Sequence, residues 1–180
     1  STGSIGKSLI KIISKDKKNF EVILLAAEKN DVELLKQAKL LKVKNLIITN
    51  KKVFDTLKKR NNKKFKIFND YKKLDFIFKK KIDYVMSSIS GINGLQPTLD
   101  IIKYTKKIAI ANKESIICGW SLLNKKMKFH KTEFIPIDSE HFSINELIKN
   151  IDKKNIEKIY ITASGGPFLK KEFTSFNKIK

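Results

Sequence analysis

The sequence holds one cysteine, Cys118, in 180 residues. No internal disulfide is possible, so a disulfide-stapled fold is excluded, and a reducing compartment with a buried, apolar thiol is expected. Arginine is equally scarce, with Arg60 the only one among 39 basic residues. Base reading and bidentate phosphate recognition lean on the arginine fork, so the formal charge of +21 does not by itself point to nucleic acid. Lysines recur in every surface segment, from Lys15 to Lys18 through Lys79-Lys80-Lys81 to Lys153-Lys154, as a composition bias spread over the solvated face. Long apolar runs are missing too. Nothing can span a bilayer and no signal-type core opens the chain, so a soluble cytoplasmic protein with no membrane or nucleic-acid partner is expected.

What is present alternates. Apolar strand-like runs at 21–27, 45–49, 65–68, 84–89 and 107–111 are separated by stretches of helical spacing. That rhythm predicts right-handed βαβ units in a Rossmann-like, doubly wound parallel α/β sheet, with ligands beyond the carboxyl ends of the strands. The expected strands at 107–111 and ending at Ile137 are separated by a helix from Glu114 and a loop over Lys125 to Lys131. Ile156 to Thr162 alternates polar and apolar residues, which predicts an antiparallel strand and a change of domain. The expected division is a dinucleotide-binding domain over 1–131 and the start of an α+β catalytic domain over 132–180.

Polar residues gather at the expected strand ends. Ser1-Thr2-Gly3-Ser4-Ile5-Gly6 is a turn opening a helix, with glycines three apart that let a backbone approach a pyrophosphate. A dinucleotide fold needs a strand before such a turn, so the first strand is expected upstream of Ser1. At Glu28-Lys29-Asn30 the acid suits a free ribose 2′-hydroxyl and the lysine a 2′-phosphate, which leaves NAD and NADP both open. Asn112-Lys113-Glu114-Ser115 follows the 107–111 strand; Asn112 is a helix cap or a ligand contact. In Pro136-Ile137-Asp138-Ser139-Glu140-His141, an extended segment would turn Asp138 and Glu140 to one side and toward one hard cation. A helix N-terminus capped by Asp138 or Ser139 explains the same residues. Gly165-Gly166 after Ser164 frees backbone N–H groups for an anion.

Taken together, these motifs resemble the 1-deoxy-D-xylulose 5-phosphate reductoisomerase family. Ser1 to Gly6 resembles the end of its Gly-Ser-Thr-Gly-Ser-Ile-Gly cofactor loop, and Ala111 to Ser115 its Ala-Asn-Lys-Glu-Ser segment. Pro136 to His141 is similar to its metal motif, and Thr162 to Phe168 to its substrate-side loop. The resemblance implies an enzyme that rearranges and reduces 1-deoxy-D-xylulose 5-phosphate to 2-C-methyl-D-erythritol 4-phosphate in non-mevalonate isoprenoid synthesis. It implies NADPH contacts at Thr2, Gly3, Ser4, Ile5, Lys29, Asn30, Asn112 and Glu114, and substrate contacts at Lys113, Ser139, Glu140 and Ser164. It also implies a Mg²⁺, Mn²⁺ or Co²⁺ ion on Asp138 and Glu140. A small sugar phosphate is the implied substrate and a homodimer the implied full-length assembly. Glu28 departs from the small residue usual in the family, and Phe142 from its asparagine. A third metal-ligating glutamate and the mobile loop are expected beyond Lys180, so residues 1–180 alone are expected to be inactive. Two other readings stay open: another NAD(P)-dependent Rossmann dehydrogenase, and a basic nucleic-acid-binding module.

Overall fold

In a computed structural model, the described residues are 1–60 and 64–160. Among these residues, six short strands form two three-stranded parallel sheets. β1 (Leu24–Ala27), β2 (Asn45–Ile48) and β3 (Lys66–Phe68) pair in that order, with Leu25 opposite Leu46 and Leu46 opposite Ile67. β4 (Ile82–Ser87), β5 (Thr105–Ile110) and β6 (Glu133–Ile135) form the second sheet, with Val85 opposite Ile108 and Ile108 opposite Phe134. α1 (Ser4–Lys15) precedes β1, and between the strands run α2 (Asp31–Leu40), α3 (Lys51–Arg60), the single turn α4 (Leu74–Ile77), α5 (Leu95–Ile101) and α6 (Lys113–His130). This is the expected Rossmann-like α/β architecture.

Both faces of β2, the central strand of the first sheet, are covered, which is why it reads as an unbroken apolar run. Leu46, Ile47 and Ile48 are all fully buried. Their period of two sends them to opposite sides. Leu46 and Ile48 pack with Leu34 and Ala38 of α2 and with Phe54 and Leu57 of α3. Ile47 packs instead with Ile108, Ile110, Leu123 and Met127, so the two sheets share a core on that face. A polar pin crosses the second sheet's cover: buried Thr98 of α5 donates to the Gly94 carbonyl at 2.6 Å and shares a hydrogen bond of 2.6 Å with Ser87 of β4.

Several expectations need correction. The stretch expected as a loop at Lys125 to Lys131 is helical as far as His130. Straight-chain lysines favour helix, and Met127 continues the buried stripe of Ser115, Gly119 and Leu123 at four-residue spacing. Only Lys131 leaves the helix, with φ 51° and ψ 46°. Cys118 falls off that stripe and is exposed rather than buried. Residues 156–160, expected as a strand, belong to no sheet.

The chain divides into two compact units, Ser1–Ile137 and Asp138–Lys180. β6 pairs with β5 and lies in the first unit. The second unit carries α7 (Ser139–Ile148), which has no buried residue, and a 3₁₀ turn at Lys153–Asn155. No described helix is long and apolar enough to cross a membrane.

An acidic contact ties α4 to the turn before β5. The Tyr104 hydroxyl donates to Asp75 Oδ1, and Lys103 lies 3.3 Å from the same oxygen. The Tyr104 hydrogen bond, aided by Lys103, holds the Asp75 carboxyl below its usual range. Because the folded-state value is depressed, this stabilisation is present above the unfolded carboxyl's pKa and is lost as pH falls through the folded one. Tyr104→Phe therefore flattens the acid limb of a stability-against-pH curve below about pH 4, as read by thermal melts. Thr98→Val removes the hydroxyl's hydrogen bonds with the Gly94 carbonyl and buried Ser87 and costs about 1–3 kcal/mol. Thr56→Val, on an exposed helix face, changes stability by less than about 0.5 kcal/mol. Urea unfolding of the two variants checks the contrast.

Candidate functional site

Three βα turns in the first unit end in an asparagine that caps the next helix. Asn30 Oδ1 accepts from the Glu33 amide at 3.0 Å, Asn50 Oδ1 from Val53 at 3.1 Å, and Asn112 Oδ1 from Ser115 at 2.8 Å. In the second unit, Asp138 does the same for α7, accepting from His141 at 3.0 Å. α1 differs. Its N-cap is Gly3, no side chain caps it, and its first turn has no acidic residue. Among the described helices of ten residues or more, it alone presents first-turn N–H groups without a side-chain acceptor. Such an end attracts an anion through its orphan donors and its positive partial charge. A Cβ on Gly3 would meet nothing within 4 Å, so the space beside that end is open.

The turn ahead of α1 is held from three sides. The Ser1 nitrogen donates to the Ala26 carbonyl on β1. The Ser1 hydroxyl donates to Gln37 Oε1 at 2.7 Å, and Gln37 Nε2 donates to the Ser1 carbonyl at 3.3 Å. Gly6 permits the close return of the chain, because a Cβ there would overlap the Ser1 carbonyl. Of the predicted cofactor residues, Gly3, Ser4 and Ile5 sit at this uncapped end and are exposed. Gln37 was missed by the sequence reading. Its signal was a polar residue on the apolar stripe of α2, between Leu34 and Ala38, and it is only 2% exposed.

Lys29 follows β1 and lies 3.4 Å from Glu28, both side chains being about two-thirds exposed or more. A pair so open to water contributes little to stability. It does put a carboxylate beside the Lys29 ammonium.

Asn112 is buried and fully engaged as a donor. Its Nδ2 donates to the Ile89 carbonyl and, at 2.6 Å, to the Gly91 carbonyl, so one amide fixes both the start of α6 and the turn after β4. Gly94 leaves room for it: a Cβ there would overlap Asn112 Nδ2 and come within 2.6 Å of the Ile89 carbonyl. Lys113 and Glu114 open α6 and are exposed.

The carboxylate pair is not on an extended segment. Asp138 is extended at φ −74° and ψ 152°, but α7 begins at Ser139, so Glu140 lies in its first turn. The alternation argument for Asp138 and Glu140 is thereby corrected. Helix formation prevails because Asp138 supplies the cap and Glu140 complements the positive end. Asp138 Oδ1 also meets His141 Nδ1 at 2.7 Å, and the Ser139 hydroxyl donates to Glu140 Oε2 at 2.8 Å. Among the described residues no three His, Cys, Asp or Glu side chains are grouped to hold a metal. Thr2 lies in the held turn, whereas Ser164 and the Gly165-Gly166 loop lie outside the described residues.

A family model described as 1-deoxy-D-xylulose 5-phosphate reductoisomerase matches residues 1–119, and one for the C-terminal domain of the same enzyme matches residues 134–180. The chain belongs to the 1-deoxy-D-xylulose 5-phosphate reductoisomerase family. The reductoisomerase of Pelagibacter ubique (strain HTCC1062) is 57% identical over 182 residues, covering 99% of this chain and 47% of that protein. The family enzyme from Zymomonas mobilis, solved in complex with NADPH, superposes with a TM-score of 0.80 at 31% identity, covering 97% of this chain and 46% of that one. A reductoisomerase solved with magnesium gives a TM-score of 0.79 at 27% identity, covering 99% and 48%. The chain thus spans about half the length of the family members it matches.

Within this family member, the N-cap glycines Gly3 and Gly94 make opposite predictions. Gly94→Ala displaces the Asn112 amide and lowers stability by about 1–3 kcal/mol. Gly3→Ala puts its methyl into open space and leaves the unfolding midpoint nearly unchanged. Equal effects in thermal or urea unfolding would contradict the packing described for Gly94.

Proposed function

We propose that this chain carries the NADPH-binding domain and the opening of the metal-binding catalytic domain of a reductoisomerase that converts 1-deoxy-D-xylulose 5-phosphate to 2-C-methyl-D-erythritol 4-phosphate. The observation that carries the cofactor half is the uncapped N-terminus of α1 beside the Gly3 turn, the one long helix start in the described residues whose donors no side chain has taken. Family members solved with NADPH, and with NADPH, fosmidomycin and magnesium, support the same reading.

On this reading the backbone of Gly3, Ser4 and Ile5, with Thr2 beside them, receives the pyrophosphate. Lys29 and Asn30 face the adenosine ribose, Lys29 meeting the 2′-phosphate in competition with Glu28. Asn112 acts by fixing the turn after β4 against the start of α6, since both of its amide hydrogens are committed to carbonyls. Glu114 borders the cofactor, and the Lys113 ammonium orients substrate oxygens and offsets their charge. The carboxylate oxygens of Asp138 and Glu140 suit a hard divalent cation, Mg²⁺, Mn²⁺ or Co²⁺, with further ligands coming from other groups. Ser139, Glu140 and Ser164 meet the substrate. When bound, NADPH supplies a hydride and the cation draws negative charge from substrate oxygens. The partners are a small sugar phosphate and, in the full-length enzyme, a second copy; residues 1–180 alone do not turn over.

The Glu28–Lys29 pair favours one competing reading, a preference for NADH, because a carboxylate at that position suits a free ribose hydroxyl. Fluorescence titration with both nucleotides separates them. Tighter binding of NADPH supports the proposal, and tighter binding of NADH overturns its cofactor assignment. In the full-length enzyme, Asp138→Ala abolishes activation by Mg²⁺ or Mn²⁺. Metal-stimulated turnover by that variant at the parent's level would remove Asp138 from the cation site.

A further inference from the structure

We infer that Gln37 is a positioning residue for the cofactor's pyrophosphate, holding the Ser1 turn at the height from which α1 presents its N–H groups. The inference rests on the NADPH reading above. Gln37 lies on the inner face of α2, where the helical period calls for an apolar residue, and burying an amide there is costly unless its hydrogen bonds are met. They are met by two residues. Glu33 Oε1 accepts from Nε2 at 3.1 Å, the Ser1 carbonyl accepts from Nε2 at 3.3 Å, and the Ser1 hydroxyl donates to Oε1 at 2.7 Å.

The Glu33 carboxylate decides which way round the amide sits. A flipped amide would set Oε1 against both a carboxylate and a carbonyl, three acceptors with no proton among them. In the orientation held, Nε2 and Oε1 grip the carbonyl and hydroxyl of the same residue, Ser1, whose nitrogen is tied to Ala26 on β1. Gly6 closes the arrangement from the other side, since its missing Cβ is what lets the Ser1 carbonyl lie against α1. The turn is therefore clamped between α2, β1 and α1. Thr2 and Gly3 follow directly from the clamped residue, and the exposed N–H groups of Ser4 and Ile5 follow from them. A shift of the Ser1 carbonyl carries those donors with it.

Gln37 itself touches no cofactor on this account. What it sets is the pyrophosphate end of the site, whereas the ribose end at Lys29 and Asn30 is built by the β1 turn and the Asn30 cap. The two ends can be read apart with two probes. NADP⁺ engages both; adenosine 2′-monophosphate has the 2′-phosphate and no pyrophosphate.

Gln37→Met keeps the volume and removes every hydrogen bond. In the full chain it is expected to weaken NADP⁺ binding about tenfold, the size of one to two lost hydrogen bonds, and to leave adenosine 2′-monophosphate binding within twofold. Gln37→Glu keeps an acceptor for the Ser1 hydroxyl but no donor for its carbonyl, and also loses NADP⁺ affinity selectively; it provides a second test if the methionine variant does not fold. Equal weakening of both probes, or a lower melting temperature with unchanged NADP⁺ affinity, makes Gln37 a stabilising residue only and overturns the inference. Failure of the unaltered chain to bind NADP⁺ saturably overturns the cofactor reading and this inference with it.

Discussion

The candidate site depends on strands that are parallel and buried on both faces. Leu46, Ile47 and Ile48 can all be inaccessible to water only because helices cover each side of β2, and parallel pairing requires the chain to return through such helices. Each sheet then releases its βα turns at one edge. The turn at Glu28 to Asn30 and the turn at Thr49-Asn50 leave neighbouring strands of the first sheet. The turns after Ser87 and Ile110 leave neighbouring strands of the second. Chemistry-bearing residues are brought side by side by the ladder, and in the second sheet Asn112 ties the two turns together through the Ile89 and Gly91 carbonyls.

At these turns the chain repeats one solution and departs from it once. Asn30, Asn50 and Asn112 each present a side-chain oxygen to a first-turn N–H, a cap worth about 0.5–2 kcal/mol. Asn112 goes further by spending its amide hydrogens on Ile89 and Gly91, which ties the loop after β4 to the start of α6. At α1 the cap is omitted and the stabilisation that it would bring is forgone. In its place Gln37, Gly6 and Ala26 hold the preceding turn from outside the helix, leaving the first-turn donors to face solvent. A helix end kept firm but unsatisfied is an arrangement that favours an anionic ligand over a self-contained fold.

Much of this was legible in the sequence. The unbroken run at Leu46 to Ile48 announced a strand covered on both faces, and the Asn112 and Asp138 caps were among the alternatives that the residues allowed. Local pattern failed where tertiary contacts decide. Lys125-Lys126 reads as a solvated loop until Met127 is recognised as the next member of a stripe begun at Ser115. The alternation from Ile156 onward reads as a strand, yet residues 156–160 join no ladder. The pairing of Asp138 with Glu140 was placed on an extended segment because strand and helix start meet at that point, and the cap settled it one residue earlier than the alternation argument required. Gln37 was invisible as a functional residue because its partner, Ser1, is distant in sequence and its position in α2 looks like an interruption of the core.

The central claim is that the N-terminus of α1 receives the pyrophosphate of NADPH. Backbone amide chemical shifts followed during addition of NADP⁺ to isotopically labelled protein test it directly. The account predicts that the largest shifts fall on Gly3, Ser4 and Ile5, with smaller ones at Lys29 and Asn30, while the capped starts of α3 and α7 stay still. Saturable binding that leaves the Gly3 to Ile5 amides unmoved would contradict it.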